Sequence, residues 1–245
     1  MQTLTLHITC GTLKPKTLDE ARTLHNVFVA GGTPPAIEIA RSLGDVSHNV
    51  YAPAEAAGDL SSAKPGELLF IDHWADLNGM ERFFSNPSAE EAADRVFASR
   101  EESEWLPAPS AFTFHVPAPA ARPARFVGIM RAPVRSVEES SAKLANLVLT
   151  NLRASRRRGQ LSHSLFVRLP STVAARPASN TRRGGGESVS ALTELAEVLA
   201  IDFWSTLEGL KEHYRDATAM SGLDDVLAGP PTASVWEQVS GFSEW

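Results

Sequence analysis

The sequence predicts an α+β protein in which one β-α-β-β-α-β unit is used twice. Two echoes and their placement predict it. Gly44-Asp45-Val46-Ser47-His48-Asn49-Val50-Tyr51 is matched by Gly159-Gln160-Leu161-Ser162-His163-Ser164-Leu165-Phe166. Ile71-Asp72-His73-Trp74 is matched by Ile201-Asp202-Phe203-Trp204. In both halves the first phrase follows a helix-like stretch and the second precedes one.

Each half opens on a strand, Leu4 to Thr9 and then Arg125 to Arg131. Each strand leads to an [ST]-x-x-E capping box, Thr17 with Glu20 and Ser136 with Glu139. The hydroxyl accepts from an early helix N–H while the glutamate reaches back toward the cap. Apolar stripes follow at helical spacing: Leu18, Ala21, Leu24 and Phe28 in one, Leu144, Leu147 and Val148 in the other. The stretch from cap to glycine is longer in the first copy (17–44 against 136–159), and Gly31-Gly32-Thr33-Pro34-Pro35 breaks its helix. Gly44 and Gly159 sit where a left-handed residue closes a helix.

The Ser-His phrases then read as strands, as do the D-x-W phrases. Residues 170–194, with Arg182-Arg183-Gly184-Gly185-Gly186, read as a long loop between the second pair. Asp76 and Thr206 cap the last helices, whose apolar faces are Leu77, Met80 and Phe84, then Leu207, Leu210 and Tyr214. Ser103-Glu104-Trp105 and Ser234-Val235-Trp236 mark the closing strands. The order in each copy is the ferredoxin-like one, with helices on one face of an antiparallel sheet. The expected boundaries are 1–117 for the first unit, 118–124 for a stiff Pro/Ala linker and 125–245 for the second unit.

Composition narrows the partners. The formal charge of −6 supplies no basic field for nucleic acid. The third strand of the first unit carries Asp72 where an RNA-recognition domain needs aromatic and basic residues, which excludes that reading. The one cysteine, Cys10, excludes an internal disulfide and a cysteine-based zinc cluster. No run approaches the ~18 apolar residues of a membrane span. The expectation is a cytoplasmic protein with a small-molecule ligand, no nucleic acid, no membrane, no metal and no cofactor. A homodimer beyond the internal pairing is left open.

Asp-x-Trp-(Ala/Ser)-(Asp/Thr)-Leu-x-Gly-(Met/Leu) at 72–80 and 202–210 resembles the signature of the dimeric α/β-barrel proteins. Within them it resembles the antibiotic-biosynthesis-monooxygenase branch. Its members commonly carry a His a few positions on, which His213 fits and Phe83 does not. The resemblance implies two tandem ferredoxin-like units packed sheet to sheet as an internal dimeric α/β barrel. It also implies cofactor-independent oxygenation of an aromatic or polyketide-like substrate. Two alternatives stand beside it: a non-catalytic ligand-binding or stress-associated barrel, and a haem-binding protein of the chlorite-dismutase-like kind, although no sequence feature singles out a haem-ligating His.

The catalytic candidates are His48, His163, Asp202 and His213. His48 and His163 lie between aliphatics on matching strand faces, with Val46 and Val50 beside the first. A His there is either a general base in an apolar pocket or a structural residue bonded to its neighbours. Asp72, Trp74, Trp204 and Tyr51 are the substrate-binding candidates. The Asp and Trp of each phrase share a strand face and either line a flat pocket or pack beneath a helix. Tyr51 can donate to a substrate oxygen where its counterpart Phe166 cannot. His25 and Asn26 are a further polar pair whose helix face the periodicity does not settle. Arg153, Arg156, Arg157 and Arg158 end a helix, complementing its dipole or receiving an anion.

Overall fold

A computed structural model of the chain describes residues 4–32, 35–116, 124–168 and 196–245. The first copy runs β1 (Thr5–Leu13), α1 (Leu18–Leu24), a π-turn (His25–Val29), α2 (Ala36–Ser42), β2 (Asp45–Pro53), β3 (Glu67–Trp74), α3 (Leu77–Phe84), α4 (Pro87–Val96) and β4 (Phe97–Pro107). A two-residue strand, β5 (Phe114–His115), follows. The second copy runs β6 (Phe126–Val134), α5 (Val137–Arg157), β7 (Gln160–Arg168), β8 (Ala196–Trp204), α6 (Leu207–Arg215), α7 (Ala217–Met220) and β9 (Thr232–Gln238).

The strands form one sheet in the order β4-β1-β3-β2-β9-β6-β8-β7-β5, and β4 also pairs with β7. Each copy thus contributes four antiparallel strands in the same ferredoxin-like order. The copies join along both edges, at β2–β9 and β4–β7. This closes the sheet into a barrel and leaves neither joined edge open. The fold is α+β, an internal dimeric α/β barrel of two tandem ferredoxin-like units. The linker expected at 118–124 and the loop at 170–194 lie outside the described residues, apart from residue 124.

Alternation divides each strand between two environments. Inward residues, including Leu6, Ile8, Tyr51, Ile71, Trp105 and Trp236, fill the barrel with an apolar core. The S-x-W pairs satisfy themselves there: Trp105 Nε1 donates to Ser103 Oγ at 2.9 Å and Trp236 Nε1 to Ser234 Oγ at 2.8 Å. Outward residues meet the helices. Val50, Leu68 and Phe70 pack on α1 and α4 in the first copy, while Leu165, Val198 and Ala200 pack on α5 in the second.

Local signals explain most boundaries. Thr17 Oγ1 accepts from Glu20 N–H and Ser136 Oγ from Glu139 N–H. Glu20 reaches back one residue beyond the expected cap, to the N–H of Lys16 at 3.0 Å. Gly44 and Gly159 have φ of +102° and +99°. The first helix is broken between the π-turn and α2, where Gly31 and Pro35 stand, and α5 is continuous over 21 residues. One expectation fails: a β-bulge between Asp45 and Ser47 throws Val46 out to 52% exposure, so it does not share the face of His48.

Candidate functional site

The outward face of β1, β2 and β3 carries a buried polar cluster beneath the helices. His48 Nδ1 lies 2.5 Å from Asp72 Oδ1, across the register pair that joins β2 to β3. His7 Nδ1 stands 3.8 Å from Asp72 Oδ2, within electrostatic reach but beyond a hydrogen bond. On the other side of the ring, His48 Nε2 is 2.9 Å from Nε2 of His25, which the π-turn drops onto the sheet. Such turns are frequent at functional sites because they re-aim one side chain without breaking the helix. The structure thereby settles the face of His25, which is fully buried.

A segment of the second copy seals this cluster. After β9 the chain crosses to β2, where His48 and Trp245 exchange backbone hydrogen bonds of 2.9 and 3.2 Å. The Trp245 indole stacks on the His48 ring at 4.6 Å, and its Nε1 donates to Asp45 Oδ2 at 2.9 Å. Asp45 is 6% exposed, and no hydrogen bond reaches its Oδ1. Burial, then the nearby Asp72 charge, pushes its carboxyl up to about 7, against the smaller opposing pulls of His48, the Trp245 N–H and the Ser47 backbone N–H. Burial alone would push Asp72 up as well, but His48 and His7 outweigh it and hold that carboxyl well below its ordinary range. The same opposition leaves His48 above its ordinary value: burial lowers it, while Asp72, Asp45 and Glu244 raise it further.

Asp45, His48, Asp72 and Trp74 line a cavity of about 750 Å³ between sheet and helices. Six aromatic side chains stand among its other walls, Phe28, Phe70, Phe83, Phe84, Phe97 and Trp245, with alanines and polar residues of α4 and β4 completing the lining. Gly31, Gly32, Ala36 and Ile39 border it where the first helix is broken. At the rim Arg100 is held by Asp94 and Glu102.

The second copy builds the same pair and closes over it. His163 Nδ1 is 2.8 Å from Asp202 Oδ1, which also accepts from Gln160 Nε2 at 2.6 Å. Tyr214 Oη donates to Asp202 Oδ2 at 2.8 Å. Gly128 makes room for that hydroxyl, since a Cβ there would stand 2.3 Å from it. In the first copy His7 occupies the strand position of Gly128 and stacks on Phe84, the counterpart of Tyr214, at 3.7 Å. The remaining space is about 80 Å³, narrowed by Leu144, Leu147 and Val148 of the unbroken α5. His213 borders it, its ring 5.2 Å from that of Trp204, and burial lowers its pKa.

Of the sequence candidates, His48, Asp72 and Trp74 meet at the large cavity, and His163, Asp202 and His213 meet at the small space. Trp204 is fully buried between α6 and the sheet. Tyr51 lies on the opposite strand face, inside the barrel near Phe203, away from both. The arginines at the end of α5 are partly committed: Arg158 pairs with Asp216, and Arg156 donates to Gln160 O. Asp45 and Trp245 are the site residues that sequence reasoning passed over, while His25 was a polar candidate whose face the periodicity left open. The signal for Asp45 was its pairing with Gln160 in the first echo.

Haem does not fit these residues. Both ring nitrogens of His48 and of His25 are engaged within the cluster, so neither aims a lone pair into the cavity. The space beside His163 and His213 is far too small for a macrocycle. Among the described residues no group of three His, Cys, Asp or Glu is placed to hold a metal ion, and no helix is long and apolar enough to cross a membrane.

No protein-family model and no curated protein matches the chain. Solved structures do. An anthrone oxidase-like protein is similar with a TM-score of 0.59 at 13% identity, over 100% of this chain and 93% of the other. A provisionally named monooxygenase of Fusobacterium nucleatum is similar with a TM-score of 0.59 at 8% identity, over 99% and 97%. A dye-decolorizing peroxidase of Bacteroides thetaiotaomicron gives 0.51 at 10%, over 97% and 94%. At such identities the likeness is one of fold, and the fold is the dimeric α/β barrel.

Proposed function

We propose that the first copy holds a general acid–base site for an aromatic or polyketide-like molecule, with cofactor-independent monooxygenation as the reaction. The observation that carries this reading is Asp45. It is a buried carboxyl pushed to about 7, lining an aromatic cavity of about 750 Å³. A base poised near neutrality is efficient because it is both deprotonated and basic enough at working pH. The aromatic walls suit a flat fused-ring ligand, and one structure of the same fold is described as anthrone oxidase-like.

In this reading Asp45 takes a proton from an activated CH2 of the substrate. The carbanion gives its electrons to dioxygen and a C–O bond forms. Protonated Asp45 returns its proton to the peroxide. Loss of the second C–H proton then breaks the O–O bond, leaving a carbonyl and water. Asp72 and His48 form a net-neutral pair beside the base, and Trp74 and Trp245 wall the ring system. The other candidates, Asp202, His163, His213 and Trp204, then serve the closed copy structurally.

Oxygen uptake with anthrone tests the reading. Asp45→Asn should lower kcat/KM by about 10²-fold or more, the usual contribution of a positioned base. Unchanged uptake in that variant overturns it. The internal bonding of both His48 nitrogens supports a second reading, a barrel that binds its ligand without turning it over. Anthrone binding without enzyme-dependent uptake would select that one.

A further inference from the structure

Hydrogen-bond bookkeeping in the buried cluster determines where the protons sit. Asn26 is the starting point. Its Oδ1 accepts from the Ser243 N–H at 2.8 Å and its Nδ2 donates to the Gly241 carbonyl at 2.9 Å, so backbone groups set the orientation of the amide. His25 Nδ1 is 3.1 Å from the same Oδ1 and must therefore be a donor. His25 is buried beside Phe70 and Phe242, and burial followed by the His48 charge pushes its pKa down to about 3. A neutral His25 with its proton on Nδ1 has a lone pair on Nε2. That lone pair faces His48 Nε2, so the proton between them belongs to His48. His48 Nδ1 faces Asp72, and imidazole is the more basic of the two groups.

We propose that His25 and Asn26 are positioning residues that hold His48 as an imidazolium, and that the segment after β9 sets this state by clamping Asn26. The same segment supplies Trp245, which covers the His48 ring and holds Asp45. One strap from the second copy thus controls both the cation and the base of the first. The groups facing His48 are Asp72 from β3, Asp45 on its own strand, His25 from the π-turn and Glu244 of the strap. The groups facing Asp45 are Asp72, His48, the Trp245 indole and the Ser47 backbone N–H. With His48 charged, Asp45 sees a neutral pair; with His48 neutral, it sees an uncompensated Asp72 carboxylate and is harder to ionise. Among the described residues of the second copy Asp202 is instead satisfied by Gln160, His163 and Tyr214.

The protonation state stands independently of the reaction assigned above, and only its catalytic consequence rests on that reading. Nitrogen-15 spectra of histidine-labelled protein read it directly. Wild-type His48 should show two protonated ring nitrogens at pH 7, and His25 one protonated and one pyridine-like nitrogen. In His25→Phe and Asn26→Leu a pyridine-like nitrogen of His48 should appear as the pH rises. His25→Gln, whose carbonyl can accept from His48, should preserve the cation. The pH profile of anthrone oxygenation should move up by roughly one unit in His25→Phe and stay in place in His25→Gln. A pyridine-like His48 nitrogen in the wild-type protein at pH 7 overturns the proposal, whether or not the protein turns anthrone over. So does an imidazolium that persists unchanged in both His25→Phe and Asn26→Leu.

Discussion

The two copies place the same His–Asp pair on the same strands, yet one borders a cavity of about 750 Å³ and the other a space of about 80 Å³. The helix above each pair makes the difference. In the first copy α1 passes into the π-turn, the helix stops before Gly31 and resumes only as α2 after Pro35, and aromatic side chains help to wall an open volume. In the second copy α5 runs unbroken and lays Leu144, Leu147 and Val148 over the sheet. The side chains follow the same division. The carboxyl of Asp45 becomes the amide of Gln160, and the His7–Phe84 stack becomes Gly128 with Tyr214. One copy has every carboxylate oxygen of its Asp satisfied by neighbours; the other keeps a buried carboxyl with an unbonded oxygen. A duplicated fold here separates what maintains the barrel from what equips a site.

The largest expected effect breaks the comparison at its chemical end. Asp45→Asn should reduce anthrone oxygenation by about 10²-fold or more, whereas Tyr214→Phe in the closed copy should leave it within about twofold of wild type in a folded sample. Comparable losses in both would mean that the copies do not divide as described.

The same residue sharpens it through stability. Because the Asp45 carboxyl is raised in the folded state, the folded protein binds a proton that the unfolded chain has released between about pH 4 and 7. Asp45 therefore lowers stability progressively as pH rises through that window, with the full cost above 7. Asp45→Asn should raise stability at pH 8 by on the order of 2–4 kcal/mol and change it little at pH 4. Urea unfolding at the two pH values reads this difference. A variant that is less stable at pH 8 would contradict the assignment.

Smaller effects follow, one in each copy. Tyr214→Phe leaves Asp202 Oδ2 without its donor, at a cost of about 1–3 kcal/mol in thermal or urea unfolding. Ala36→Trp intrudes on the open cavity from α2. It should weaken anthrone binding by about tenfold while costing little stability, because the volume it enters is not filled by packed side chains.

Much of this architecture was legible in the sequence. Capping hydroxyls, the glycines at 44 and 159 and the D-x-W phrases all stand at element ends, where local chemistry dictates the backbone. The repeat itself paired the elements of one copy with those of the other. Three features were not legible, each for a physical reason. The bulge at Val46 interrupts alternation, so a period-2 reading put Val46 on the wrong face. The side of the helix that His25 presents depends on the π-turn, which shifts the helical period. Trp245 reaches His48 only because the barrel closes β9 against β2, a contact nearly 200 residues apart in the chain. Tyr51 illustrates the opposite case. Its difference from Phe166 suggested a site residue, but one position along a strand from Val50 places it inside the barrel.

Ligand should occupy the first copy and not the second. Nuclear Overhauser contacts between anthrone, held under nitrogen, and methyl-labelled protein test it most directly. Contacts should appear to Val29, Ala36 and Ile39, which border the large cavity, and none to Leu144 or Leu147 beside the small one. Contacts to Leu144 and Leu147, or equal contacts in both copies, would contradict it.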